Sequence, residues 1–375
     1  MSDSETVVKE LLKIADIKVN GKRPFDIQIH DERFYNRVLA HQSLGLGESY
    51  MDGWWDVKEL DQMVARLLNA KINEKLKFKP TVLIAGARAV ATDKLTNRQS
   101  LSRAVHNASH HYNIGNDLYE RMLDERMIYT CAYWRNAKNL DEAQEAKLKL
   151  ICEKLQLKKG MTVLDIGCGW GGFAKYAAQN YGVKVTGITL ATEQAKLAKE
   201  NTKEFPVDIQ IKDYREVKGK YDRVVSIGMF EAVGQKNYMT FFNKCTDLLE
   251  DDGIMFHHTI GSNVSVKNNN PFMEKYIFPG GSLPSLADIN KATAKTLVIE
   301  DLQNIGPDYV KTLLAWDKNF NKHYDELKDK YDETFKRMWD FYLLSFAGSF
   351  KARHVQLWQI VFRKIRTSET YVGVR

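Results

Sequence analysis

From about residue 155 onward, short apolar runs alternate with longer segments of helical spacing. The runs are Thr162 to Ile166, Val183 to Ile188, Val207 to Ile211, Arg223 to Ile227 and Ile254 to Thr259. Runs of this length separated by helix-like segments predict a mostly parallel sheet covered by helices, an α/β class. The late run Leu357 to Phe362 is expected to add a further strand. Tyr309 to Phe350 reads differently, because Trp316, Phe320, Phe335, Trp339 and Phe346 recur in a helical pattern. Such helices can cap the sheet or line an apolar cavity.

Up to about Leu68, apolar stretches mix with turn signals such as Leu44 to Gly47 and Asp52-Gly53, followed by Trp54-Trp55. This segment is expected to form a small helical domain. From Lys71 to Arg103 eight Lys or Arg face two acids, Glu74 and Asp93, with Phe78, Val82, Leu83 and Ile84 between them. The stretch is basic and partly amphipathic. Its polar tail, Thr92 to Ser102, lacks periodicity and suits a linker. The expected division is therefore a helical domain over 1–91, a linker over 92–108 and a catalytic domain over 109–375.

Composition narrows the class. Hydrophobic residues make up 44% and charged residues 27% of the 375, the balance of a folded globular chain. The best apolar stretch, Val82 to Ala91, is too short to span a bilayer and contains Arg88, so an integral membrane protein is excluded. No apolar signal segment opens the chain, and Cys131, Cys152, Cys168 and Cys245 show neither CxxC nor metal-ligand spacing. A cytoplasmic protein without a metal is expected. The net charge of +7 permits an anionic partner, nucleic acid or phospholipid surface, without choosing between them.

The candidate chemistry begins at Val163 to Gly172, where Gly167, Gly169 and Gly172 follow a predicted strand and lead into a helix. Glycine permits a tight turn and close approach to a ligand, while the helix N-terminus offers free N–H groups. A dinucleotide enzyme needs an acid near the end of the second strand, but that strand ends Gly187-Ile188-Thr189-Leu190. The acids lie instead before the loop, at Asp165, and after the third strand, at Asp213. This arrangement resembles the S-adenosylmethionine site of class I methyltransferases, a Rossmann-like fold. The resemblance implies that Asp213 meets the adenine amino group, Thr189 and Gln194 face the ribose, and Gly167 and Gly169 lie against the methionine portion.

Around this core stand His111 to Asp117, Tyr129 to Trp134, Gly228 to Glu231 and His258 to Gly261. With Ser43 to Trp55, Tyr276 to Pro279 and Leu357 to Gln359, they strongly resemble the cyclopropane-fatty-acyl-phospholipid synthase family over nearly the whole chain. That family transfers a methylene group from S-adenosylmethionine to a cis double bond in an acyl chain of a membrane phospholipid. An alkene is a poor nucleophile, so orientation in a water-poor cavity must do most of the work. The resulting carbocation closes to a ring once a base removes a proton from the delivered methyl.

The resemblance implies a bound bicarbonate ion as that base, held by the Cys131 region, Glu231, His258, the Ile260 backbone and Tyr309. It also implies that Tyr129 and Thr130 touch the methionine end of the cofactor. One departure is Ala232, where the family often has histidine after the site glutamate. His257 is the weaker candidate beside His258, since alternation along a strand sends neighbours to opposite faces. The substrate implies reversible docking on the inner face of the cell membrane, to which the Lys71 to Arg103 segment is suited. A homodimer is the expected assembly. The rivals are a lipid methyltransferase that leaves a methyl branch or hydroxyl and, more remotely, a basic nucleic-acid-binding protein, which would lack the aromatic or zinc motifs of that class.

Overall fold

The computed structural model describes residues 3–71, 115–266, 268–367 and 370–374. In chain order the described helices are α1 (Asp3–Ile14), α2 (Arg33–Met51), α3 (Leu60–Asn69), α4 (Asn116–Met122), α5 (Leu140–Lys154), α6 (Gly172–Tyr181), α7 (Thr192–Thr202), α8 (Tyr238–Leu248), α9 (Leu286–Thr293), α10 (Gly306–His323) and α11 (Glu333–Lys351). The described strands are β1 (Gln28–Ile29), β2 (Trp55–Asp56), β3 (Thr162–Ile166), β4 (Lys184–Thr189), β5 (Val207–Ile211), β6 (Tyr221–Ile227), β7 (Leu249–Ser262), β8 (Leu297–Asn304) and β9 (Val355–Lys364).

The chain forms two compact units. One holds described residues 115–266, 280–308 and those from 356 onward. Its seven-stranded sheet has the order β5-β4-β3-β6-β7-β9-β8, with β3 to β7 pairing in parallel and β8 antiparallel to β9. The five expected strands are present, with ends shifted by a few residues, and Leu357 to Phe362 lies within β9. Strand β8, which the apolar runs do not predict, is one of the sheet's two edges, opposite β5; its Val298, Ile299 and Leu302 stay exposed, with Glu300 and Asp301 between them.

The period of two along each strand sorts the core onto two faces. Leu164, Val224, Met255, Ile360 and Phe362 pack with Phe241, Phe242 and Cys245 of α8. Val163, Val225, Ile254, Phe256 and Val361 pack with Leu148, Ile151 and Cys152 of α5 and with Phe173 and Ala174 of α6. Asp165 comes two residues after Val163, and His258 two after Phe256. Both therefore enter the layer beneath α5, at the carboxyl ends of the strands, where open α/β sheets bind ligands.

The other unit gathers described residues 3–71 with 268–279 and 309–355. This differs from the contiguous division expected, because α11 packs against α2 and α3. Gly348 permits that approach: a Cβ there would lie 2.5 Å from the Asp61 carbonyl. Trp55 is buried between Tyr50, at 4.9 Å between ring centroids, and Phe341, at 6.4 Å. Its indole N–H donates to Ser49 Oγ at 3.0 Å, so the polar edge of the ring is satisfied while its faces are buried. The aromatic helices expected over Tyr309 to Phe350 are thus part of the unit built on the N-terminal helices. The expected linker over 92–108, and most of the basic segment, lie outside the described residues.

Candidate active site

The glycine loop is shaped by left-handed backbone. Gly167 has φ +85°, and a Cβ there would lie 2.7 Å from the side chain of Met229. The N–H groups of Gly167 and Cys168 both donate to the Ile188 carbonyl, which ties the loop to the end of β4. Trp170 donates its indole N–H to Asn116 Oδ1 at 3.0 Å and packs on Tyr119, whose ring also meets Tyr129 at 5.2 Å. The described part of the His111 to Asp117 motif therefore reaches the glycine loop through the Trp170–Asn116 hydrogen bond. His111 to Ile114 lie outside the described residues.

The remaining cofactor candidates line the same strand ends. Thr189, at the end of β4, is buried, and its Oγ1 accepts from Ala191 N–H and lies 3.4 Å from Gln194 Oε1. Asp213, after β5, accepts from the Arg215 backbone N–H and Nε at Oδ1, and from Nη2 at Oδ2. A carboxylate has about four acceptor sites, so room remains at Oδ2 for another donor such as an adenine amino group. Asp213→Ala is expected to weaken S-adenosylhomocysteine binding about tenfold, the value of a hydrogen bond to a charged group. Unchanged calorimetric affinity would remove Asp213 from the site.

The catalytic candidates of this unit converge on the ends of β6 and β7. Glu231 follows β6 in a short 3-10 turn. Its Oε1 accepts the Ile260 N–H at 2.6 Å, while its buried Oε2 has no partner. Burial pushes this carboxyl up to about 7, against the pull of backbone N–H groups, including that of Ile260, and of Thr259. The Ile260 N–H is thus committed to orienting Glu231. His258 is paired in register with Ile227, and both its ring nitrogens are buried without a partner. Burial, helped by the field of Lys147, holds its imidazole well below the ordinary range and therefore neutral.

His257 points to the opposite face, among Phe230, Phe241, Phe242 and Phe362. The alternation expected for the two histidines is what the strand shows. Cys131 is buried, with Sγ 3.2 Å from the Ala132 carbonyl oxygen. Tyr309 belongs to the other unit, where its buried ring lies 4.8 Å from Phe350 and 5.8 Å from Trp316. Ala232, the departure from the family pattern, is exposed.

Two polar residues on α5 were not foreseen. Gln144 donates from Nε2 to the carbonyls of Ile128 and Thr130, at 3.2 and 2.9 Å. Lys147, fully buried, donates to Thr130 Oγ1 at 2.8 Å. The signal was present: Gln144, Lys147, Ile151 and Lys154 recur on the stripe that also carries Leu140 and Leu148, so three polar residues occupy a core face. Among the described residues no group of three or more His, Cys, Asp or Glu is placed to hold a metal ion.

This architecture is shared with solved enzymes. The cyclopropane synthase MmaA2 from Mycobacterium tuberculosis superposes with a TM-score of 0.65 at 29% identity, over 69% of this chain and 97% of that one. The mycolic acid cyclopropane synthase CmaA1, complexed with SAH and CTAB, gives 0.65 at 30% identity, over 70% of this chain and 98% of that one. The fold and the site define a class I S-adenosylmethionine-dependent methyltransferase. The model of the mycolic acid cyclopropane synthetase family matches residues 99–360. Cyclopropane-fatty-acyl-phospholipid synthase of Escherichia coli K12 is 49% identical over 360 residues, 96% of this chain and 93% of that protein. The chain belongs to the mycolic acid cyclopropane synthetase family.

Proposed function

We propose that the protein transfers a methylene group from S-adenosylmethionine to the cis double bond of unsaturated acyl chains in membrane phospholipids, with bicarbonate as the general base. The observation that carries this reading is the set of buried polar atoms without partners at the ends of β6 and β7: Glu231 Oε2 and both nitrogens of His258. Unpaired buried polar atoms cost free energy, and a small oxyanion bearing one hydroxyl satisfies both kinds, taking a hydrogen from neutral His258 and giving one to Glu231. Cys131 and Ile260 complete the proposed surroundings within this unit, Ile260 through the N–H that fixes Glu231.

Bound S-adenosylmethionine supplies the activated methyl group, and bicarbonate an acceptor for the proton that this methyl must lose. The protein's own residues divide the remaining work. Asp165, Thr189, Gln194 and Asp213 hold the nucleotide side, with Gly167, Gly169, Tyr129 and Thr130 toward its methionine end. Glu231, fixed by the Ile260 N–H, holds the orientation of the anion. His258 stays neutral, as a hydrogen-bonding rather than a charged partner. Access to the acyl chain is by reversible docking on the inner face of the cell membrane. The basic residues assigned to that docking fall almost entirely outside the described segments; among the described residues no helix is long and apolar enough to cross a membrane. We propose a homodimer as the working assembly.

Incubation with S-adenosylmethionine and unsaturated phospholipid vesicles tests the reaction. The expected product has gained CH₂ and lost its double bond. A methyl-branched chain, or one carrying the elements of water, would instead favour a methyltransferase of the kind named for a Pseudomonas putida relative, a probable fatty acid methyltransferase 36% identical over 72% of this chain and 70% of that one. Thorough removal of bicarbonate is expected to slow turnover without lowering cofactor affinity, and its return to restore the rate. Full activity in verified bicarbonate-free buffer would move the base to a protein side chain.

A further inference from the structure

A lysine ammonium buried beneath the sheet is expensive unless it is used, because its hydration is lost and a hydrophobic residue of similar size packs there as well or better. Lys147 is such a group. Its Nζ is 2.8 Å from Thr130 Oγ1, and one turn earlier on the same helix Gln144 grips the Thr130 and Ile128 carbonyls. Thr130 is held from its other side as well. Its Cγ2 would lie 2.5 Å from a Cβ at Gly228, the residue that leads from β6 toward Glu231. The threonine is therefore clamped between α5 and the turn that presents the catalytic carboxylate.

The charged and titratable groups around Lys147 come from four elements: Asp124 from the turn after α4, Cys131 from the segment after Thr130, Asp165 from β3 and His258 from β7. Asp165 is buried, and its Oδ2 has no hydrogen-bond partner. We propose that Lys147 is a positioning residue of this site: its ammonium anchors Thr130, and with it the Tyr129 to Cys131 segment, and it is a countercharge that the buried Asp165 shares with Asp124. The inference deepens the cofactor reading and rests on it. An ionised Asp165 suits the amino-acid ammonium that S-adenosylmethionine and S-adenosylhomocysteine share. Burial drives its carboxyl up to about 7 even with the field of Lys147 drawing it down. Without that field, Asp165 would hold its proton to higher pH.

The test is calorimetric S-adenosylhomocysteine binding between pH 6 and 9, with turnover on unsaturated vesicles, for wild type, Lys147→Met and Thr130→Val. For Lys147→Met the pH below which affinity falls is expected to rise by about one unit, the usual effect of removing an opposite charge near a carboxyl. Its affinity at pH 7 should drop several-fold. Thr130→Val keeps the methyl shape against Gly228 but removes the acceptor; turnover should fall about tenfold, with the pH limb of binding unmoved. A residue that merely fills space would shift neither the pH limb nor turnover. Should Lys147→Met fail to fold, Thr130→Val with wild-type turnover would by itself overturn the anchoring. A folded Lys147→Met whose pH profile overlays that of wild type would overturn the countercharge. If wild type binds no S-adenosylhomocysteine, the cofactor reading falls, and this inference with it.

Discussion

Glu231→Gln is expected to slow ring formation by roughly 10²–10⁴-fold, the value of a positioned proton-transfer partner, while S-adenosylhomocysteine affinity stays within about twofold. The substitution is nearly isosteric. A glutamine oxygen can still accept the Ile260 N–H that now binds Oε1 at 2.6 Å. What it loses is the other oxygen, the buried acceptor without a partner, which becomes an NH₂ donor. An anion that gave its hydroxyl hydrogen to Glu231 would meet a donor there instead and lose its orientation. Turnover on vesicles beside calorimetric affinity separates the two effects, and equal losses in both would place Glu231 in the cofactor site.

The same substitution carries a stability signature of opposite sign. Burial raises the Glu231 carboxyl from 4.5 to about 7, so across that range the native state holds a proton that the unfolded chain has released. Stability is then greatest below the unfolded value and is lost as pH rises through the folded one. The loss is on the order of 3 kcal/mol at about 1.4 kcal/mol per unit. The amide introduced by Glu231→Gln is uncharged at every pH and escapes it. The melting temperature of Glu231→Gln should therefore exceed that of wild type at pH 8, with the margin closing toward pH 4. A carboxylate that costs stability at working pH is explained by use. A variant less stable than wild type at pH 8 would show the carboxylate to be structural.

The sheet was legible because its inner strands are buried on both faces and so appear as continuous apolar runs. Strand β8, at one edge, shows no such run: Val298, Ile299, Leu302 and Asn304 face solvent, and the charged Glu300 and Asp301 interrupt it. The site residues at the strand ends were legible through motif spacing and family resemblance. Their pairing was not: that the Ile260 N–H binds Glu231, or that Arg215 engages both oxygens of Asp213, depends on distances across the sheet. Lys147 was marked only by its place on the apolar stripe of α5; helical lysines are ordinarily solvated, and it is the packing of α5 on the sheet that shows this one to be buried. The assignment of α11 to the unit of α2 and α3 was hidden for a related reason. Apolar periodicity shows that a helix has a buried face but not which element covers it.

Gly167→Val is expected to abolish cofactor binding, with affinity falling more than about 100-fold, while the far-ultraviolet spectrum stays that of wild type. Two costs add at this position. The left-handed φ of +85° is a true outlier for a β-branched residue, and a left-handed conformation costs roughly 1–2 kcal/mol even for an ordinary side chain. A Cβ there would also sit 2.7 Å from Met229 Cβ and Cγ, at the turn that leads into Glu231. Relief of either strain moves the loop that is tied through Gly167 and Cys168 to the Ile188 carbonyl. The costs can be separated. Gly167→Ala keeps the φ cost in milder form and the collision, and adding Met229→Ala reduces the collision to the Met229 Cβ alone. Binding should thus be weaker in Gly167→Ala than in wild type and partly recover in the double variant. Wild-type affinity in Gly167→Val would mean that the ligand does not lie against this loop, and would remove Gly167 from the cofactor site.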